Sequence, residues 1–250
     1  MLLDLSLFQI AAIFATYLFA AVAKGVTGLG FSTTCLPILV LLLGLKDALP
    51  LVIIPSICSN LVVMKQAGRF AEAIRRFWPM LIALFPGLFI GLWMLSRVDG
   101  VQAGAVLGVM LLLWCAFSYA KPNLRLAAGW ERPLAPISGF VTGVINGVTG
   151  SQVLPSVPFL MMLHLDRPLF VQAANCSFTL SSFLMALGLG QLGLFSQGDL
   201  LISTIGTGLV FLGVSIGGTI RLRLSEDWFR KSILAMLTVM GLSLIASSLL

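Results

Sequence analysis

Apolar runs follow one another along this 250-residue chain with so few interruptions that little room is left for anything else. They cover approximately residues 7–24, 30–45, 48–64, 78–96, 101–120, 134–146, 151–163, 168–192, 199–220 and 230–249. About 20 apolar residues suffice for a helix to cross the hydrocarbon core. The runs at 78–96, 101–120, 168–192, 199–220 and 230–249 reach that length, and the others are shorter. With 59% hydrophobic residues, 10% charged residues and a mean hydropathy of +1.07, a soluble globular domain is excluded. The expectation is an all-α polytopic membrane protein of roughly eight to ten segments.

The net charge of +6 does not point to nucleic acid, because the basic residues fall in short clusters between apolar runs, as cytoplasmic loops of membrane proteins do. Cys35, Cys58, Cys115 and Cys176 all lie inside apolar segments with no CxxC, so they read as buried free thiols. The single histidine, His164, leaves no metal-ligand cluster, and no cofactor is expected. Without a GxSG serine, a serine–histidine mechanism lacks its parts, and an enzyme is not expected. Ala21-Val22-Ala23 resembles a signal-peptidase site, but Asp4 stands where a basic region belongs, so the first segment is expected to be retained.

Orientation follows the basic residues. Lys65, Arg69, Arg75 and Arg76 mark one cytoplasmic loop, Lys121, Arg125 and Arg132 a second, and Arg221, Arg223, Arg230 and Lys231 a third. The connections at 97–99 and 191–199 are then external. Consistency makes 7–24 and 30–45 a hairpin entered from the outer face, and 134–146 and 151–163 a hairpin entered from the inner face. Each half of the chain, 1–122 and 123–250, is thus predicted to be a broken or re-entrant hairpin followed by three transmembrane helices, the halves inverted relative to one another. The second hairpin's arms, at about 13 residues, would reach only ~20 Å, short of a full crossing.

The two hairpin tips carry the same residues. Lys24-Gly25-Val26-Thr27-Gly28 ends the first arm of one and Asn146-Gly147-Val148-Thr149-Gly150 that of the other, with Pro37 and Pro158 downstream. A helix broken inside a membrane is tolerated only where it is buried in protein or lines a polar cavity. Tips from opposite faces would meet near the midplane, where inverted-repeat transporters hold substrate. The helices that follow would begin there with unpaired N–H groups and positive dipole ends, an environment suited to an anion. The candidate binding residues are therefore Lys24, Gly25, Thr27, Gly28, Gly30, Ser32 and Thr33 in tip 24–30 and its exit, and Asn146, Gly147, Thr149, Gly150, Ser151 and Gln152 in tip 146–152. Asn60 and Asn175, from polar clusters in the segments that follow, complete the set. The plainer alternatives are a snorkelling Lys24 and interhelical hydrogen bonding by the asparagines and serines. Every Asp and Glu falls in a tail or loop, so no buried carboxylate relay is expected. Small-residue spacings at Gly87/Gly91, Gly104/Gly108, Gly139/Gly143 and Gly213/Gly217 suit helix packing.

The chain resembles the TSUP family, which includes the TauE/SafE sulfite exporters, over essentially its whole length. The likeness is carried by Gly25-Val26-Thr27-Gly28-Leu29-Gly30 with Pro37, Gly147-Val148-Thr149-Gly150 with Pro158, the loop Gln66-Ala67-Gly68-Arg69-Phe70, and Pro86-Gly87 with Gly91. Phe31-Ser32 and Gln152-Val153 stand where the family has more glycine. The resemblance implies transport of small anions, chiefly sulfite, organosulfonates and related sulfur compounds, across a bacterial inner membrane. An anion channel, or an uptake permease for a small carboxylate or another sulfur oxyanion, is the alternative. The partners expected besides the anion are membrane lipid and, in a homodimer, a second copy of the chain. Single cysteines placed at Arg69 and Asn123 should react with a membrane-impermeant thiol reagent from the same face of the membrane; labelling from opposite faces would refute the topology.

Overall fold

A computed structural model describes residues 5–120, 124–127, 129–220 and 226–249. Among them the chain forms ten helices: α1 (Leu7–Thr27), α2 (Phe31–Leu43), α3 (Leu45–Ala67), α4 (Phe70–Arg97), α5 (Gly100–Ala120), α6 (Glu131–Thr149), α7 (Ser156–Met162), α8 (Arg167–Gln191), α9 (Gln197–Ile220) and α10 (Glu226–Ala246). Six of these, α1, α3, α4, α5, α8 and α9, are long and apolar enough to cross a membrane. The protein is a multi-pass membrane protein.

Local sequence explains most of the boundaries. Ser6 and Gln9 form a reciprocal capping box at the start of α1, with the Gln9 N–H 3.2 Å from Ser6 Oγ and the Ser6 N–H 2.9 Å from Gln9 Oε1. Asp166 caps α8, with proline in its first turn. Three boundaries depart from the sequence reading. α3 runs for 23 residues through Pro50 and Pro55, longer than the predicted 48–64. α4 begins at Phe70, not 78, because its first two turns are amphipathic: Ala73 and Phe77 are buried while Glu72, Arg75 and Arg76 are exposed. The second hairpin is lopsided. α6 has 19 residues, about 28 Å of helix, whereas α7 has only 7. Pro155 restricts Leu154 to extended backbone and supplies no N–H, so helix cannot form across 151–155. Lys121, Asn123, Arg221 and Arg223 lie outside the described residues, as does the side chain of Arg230.

The helices pair in a pattern that exchanges the two halves. α1 packs along α9 as α6 packs along α4; α3 contacts α9 as α8 contacts α4; α3 meets α8 and α5 meets α10. Glycines make the closest crossings. Gly87 and Gly91 of α4 lie against the backbone of α6 at Phe140, Val144 and Gly147, and Gly213 and Gly217 of α9 lie against α1 at Leu18, Val22 and Gly25. With no side chain between them, paired backbones approach directly. Large apolar residues also face outward, Phe8, Ile82, Trp93, Leu187, Ile205 and Leu212 among them, as a lipid-facing surface requires. On one face, Arg76 pairs bidentately with Glu131 at 2.7 and 2.9 Å, and Arg69 lies 3.6 Å from Asp166, tying the start of α4 to the starts of α6 and α8.

A Cβ at Gly217 would stand 2.8 Å from Gly25 Cα, whereas one at Gly218 would meet nothing within 4 Å. Gly217→Ala should therefore destabilise by about 1–3 kcal/mol. Gly218→Ala should be neutral or stabilising by up to about 1 kcal/mol. Thermal unfolding in detergent checks the contrast between adjacent positions.

Candidate functional site

The tips are helix ends of one design. Gly28 closes α1 at φ 81° and Gly150 closes α6 at φ 75°, both in the left-handed region that glycine enters without cost. Their N–H groups fold back onto the Lys24 and Asn146 carbonyls, each at 2.7 Å. The threonine one residue earlier seals the turn. Thr27 Oγ1 donates to the Ala23 carbonyl at 2.9 Å and accepts from the Leu29 N–H at 3.3 Å. Thr149 Oγ1 donates to Ile145 at 2.7 Å and accepts from the Ser151 N–H at 3.1 Å.

A small cavity, about 20 Å³, lies between the exits of the two tips. Its polar walls are Ser32 and Ser56 from one half and Asn146, Gln152 and Ser182 from the other. The Ser32 and Ser56 hydroxyls are 2.8 Å apart, and Gln152 Nε2 donates to Ser182 Oγ at 3.0 Å. In each half a residue past the tip thus bonds a serine on the long helix that follows. Asn146 stands beside these pairs fully buried, and neither its Nδ2 nor its Oδ1 has a partner among the described residues. A buried amide left so costs about 1–3 kcal/mol per group unless something binds it. The volume admits about one water, so the site is closed around its polar groups.

Lys24 does not snorkel. It is 1% exposed, and its Nζ donates to Asn60 Oδ1, its only hydrogen bond among the described residues. Asn60 sits one turn along α3 from Ser56, and its Nδ2 is unpaired. No carboxylate pairs with Lys24 among the described residues. α2 starts directly after the tip, with Gly30 as N-cap at φ 91° and no side-chain cap on its first turn. α7 does not match it: its helix starts at Ser156 rather than 151, and the Ser156 N–H is taken by Thr142 Oγ1 at 3.1 Å. The predicted pair of helix N-termini is therefore reduced to one, that of α2.

Against this geometry, the family model described as Sulfite exporter TauE/SafE matches residues 13–244. The chain belongs to the TauE/SafE sulfite exporter family. Comparisons with curated proteins and with solved structures gave no match. The TauE/SafE family consists of membrane transporters of the sulfite and anion export type, not enzymes.

The candidate residues divide into groups. Ser32, Asn146, Gly150 and Gln152 surround the small cavity. Thr27, Gly30 and Thr33 line a second, larger one of about 220 Å³. Lys24 and Asn60 form a buried pair that lines neither cavity. Asn175 braces the first tip, Nδ2 donating to the Gly28 carbonyl at 3.2 Å and to Val171 at 2.8 Å. Gly25 and Gly147 are occupied by helix packing against Gly217 and Gly91, so they offer no space to a ligand. Thr149 and Ser151 are buried within their own turn. Ser56 and Ser182 belong with the site; they stood out in sequence only as members of polar clusters. One expectation fails outright. Asp199 is not in an exposed loop but 1% exposed at the start of α9, where it accepts from the Ser196 N–H at 2.9 Å and the Ser196 hydroxyl at 2.6 Å. Ser196 Oγ in turn accepts the Asp199 N–H at 3.1 Å, so this carboxylate completes a capping box.

Because Asn146 carries two unpaired polar groups in a closed cavity, Asn146→Leu should leave the melting temperature unchanged or raise it. A drop of several degrees would mean that the amide is bonded in the folded protein.

Proposed function

We propose that this protein exports sulfite, or a related small sulfur oxyanion, across a bacterial inner membrane, binding it between the two tips. The observation that carries the reading is Lys24: a fully buried lysine with an amide, not a carboxylate, as its partner. Burying an uncompensated cation is expensive, and a bound anion supplies the missing charge. Neutral donors are offered by Asn60 Nδ2, unpaired among the described residues on the partner of Lys24, by the uncapped first turn of α2, and in the small cavity by Asn146 Nδ2 and the Ser32–Ser56 and Gln152–Ser182 pairs.

Inverted repeats, 1–122 and 123–250, fit this reading. The mirrored packing of α1 on α9 and α6 on α4 supports them, as do the matching caps at Gly28 and Gly150. Lys24 has Asn146 as its counterpart, so the halves would share a framework while only one brings a charge. A site closed to about one water's volume favours a carrier over an open channel, because an oxyanion can enter only if the surrounding helices move.

The one buried carboxylate among the described residues, Asp199, is engaged in a helix cap, so we read the driving force as the anion's own gradient. An inside-negative potential favours outward movement by ~2.3 kcal/mol per charge per 100 mV. In proteoliposomes, sulfite efflux should accelerate when valinomycin and a potassium gradient set the lumen negative, and Lys24→Met should lower it at least tenfold without loss of folded protein. Wild-type flux indifferent to voltage, or full flux in Lys24→Met, would refute the mechanism.

A further inference from the structure

The stretch of α3 that walls the small cavity is interrupted within its own hydrogen-bond ladder. Leu49, Val52, Ile53 and Ser56 line the cavity. Pro50 and Pro55 lie in the same stretch, and neither has an N–H to return to the carbonyl four residues earlier. Two rungs are therefore missing where α3 closes the site. At Pro55 the carbonyl left over is that of Leu51.

That carbonyl is held from outside the helix. Tyr17 Oη donates to it at 2.6 Å from α1, and Ser203 Oγ at 3.2 Å from α9. Both donors are fully buried, as is Leu51. The Tyr17 ring is fixed in turn by Phe14, which meets it edge-on, by Phe31 of α2, and by Gly206, where a Cβ would collide with it. α1 and α9 pack along one another, so the two hydroxyls belong to one unit of the fold and grip α3 from it. Tyr17 stands about 15 Å along α1 from its start and ~15 Å before Thr27. The grip thus lies between the first tip and the face at which α1, α3 and α9 begin, the predicted outer one.

At the corresponding positions of the other half these residues are replaced. The register that matches Lys24 with Asn146 sets Gly139 against Tyr17, and the matching Cys58-Ser59 and Cys176-Ser177 set Ala173 against Pro55. The paired glycines of α9 and α4 set Phe77 against Ser203. Phe77 and Ala173 are apolar core, and Gly139 packs on Met80. The double hydroxyl grip is a feature of one end of the molecule, not of the shared framework.

We propose that Tyr17 and Ser203 are the latch of the transport site: their bonds to Leu51 hold the proline-interrupted wall of α3 shut, and their release opens the small cavity toward the face where α1, α3 and α9 begin. The inference rests on the proposed function in taking that cavity as the anion's site. Both are positioning residues, acting on the site through α3.

The test is the rate at which Ile53→Cys, in the cavity wall, reacts with a membrane-impermeant maleimide in right-side-out and in inside-out vesicles, above the labelling of protein without the added cysteine. Leu84→Cys, also buried but in α4 away from the cavity, measures general loosening. Tyr17→Phe combined with Ser203→Ala should raise the Ile53→Cys rate about tenfold in right-side-out vesicles and leave Leu84→Cys unchanged. An unchanged rate at Ile53→Cys, an equal rise at both cysteines, or a rise only in inside-out vesicles overturns the latch. Tyr17→Phe alone keeps the ring and should give a smaller rise in the same sense, which decides the matter if the double variant does not fold. Pro55→Ala works the other way. It supplies an N–H within reach of the Leu51 carbonyl, so sulfite efflux should fall with no loss of thermal stability, and efflux at the wild-type rate overturns the role of the break. Absence of sulfite flux in the wild-type protein overturns the proposed function, while the labelling contrast still decides the latch.

Discussion

A polar group without a partner in a hydrocarbon environment costs more than almost any packing defect, and that single penalty organises this fold. Breaking α1 and α6 inside the protein frees backbone groups at both ends. The chain answers with the same device twice: a left-handed glycine turns its N–H back to the carbonyl four residues earlier, and a threonine hydroxyl bonds on both sides of the turn. Asn175 covers a further carbonyl, that of Gly28. Once the breaks are sealed, the buried groups still without a partner among the described residues are Asn60 Nδ2, both polar atoms of Asn146, Asn175 Oδ1 and the Ser138, Ser177 and Ser181 hydroxyls; Lys24 has one neutral partner.

Holding two broken helices in place requires neighbours that do not break. Gly217 of α9 and Gly91 of α4 meet the tip glycines Gly25 and Gly147 backbone to backbone. Such contacts leave almost no freedom for α1 to slide on α9, or α6 on α4. Each tip is therefore rigidly joined to a long helix of the opposite half of the chain. Movement that opens the closed cavity would then come from α1–α9 and α6–α4 shifting as units, with α3 and α8 between them.

Most of the architecture was legible because hydrophobic length is a strong signal. All ten apolar runs became helices, and the repeated GVTG located both turns through the glycine that each helix end needs. What sequence could not convey was division of labour among neighbours. Gly25 and Gly28 look alike in a motif, yet one is consumed by a helix crossing and the other by a positive φ. The shortness of α7 was written in Pro155, but its weight was masked by the apolar run around it. Asp199 looked like a loop residue because it interrupts polar sequence, although Ser196 three residues earlier forms a recognisable capping box with it. Ser56 and Ser182 gained meaning only when the fold set each opposite a residue past a tip.

The asymmetry between the halves is the feature with the most functional weight. A perfectly repeated tip would place either two lysines or two asparagines in the core. Two ammonium groups would repel one another in a low-dielectric interior and require two negative charges from the ligand; two amides would offer dipoles alone. With Lys24 in one tip and Asn146 in the other, this chain falls between these limits and, on the proposed function, would set one charge among neutral donors. If an anion binds there as proposed, the site would favour a singly charged oxyanion, since a second negative charge would be buried without a counter-ion. It would also let such an anion leave, because hydrogen bonds from serine, asparagine and glutamine exchange for water at small net cost. A carrier needs both properties, and a stronger cation cluster would forfeit release for the sake of affinity.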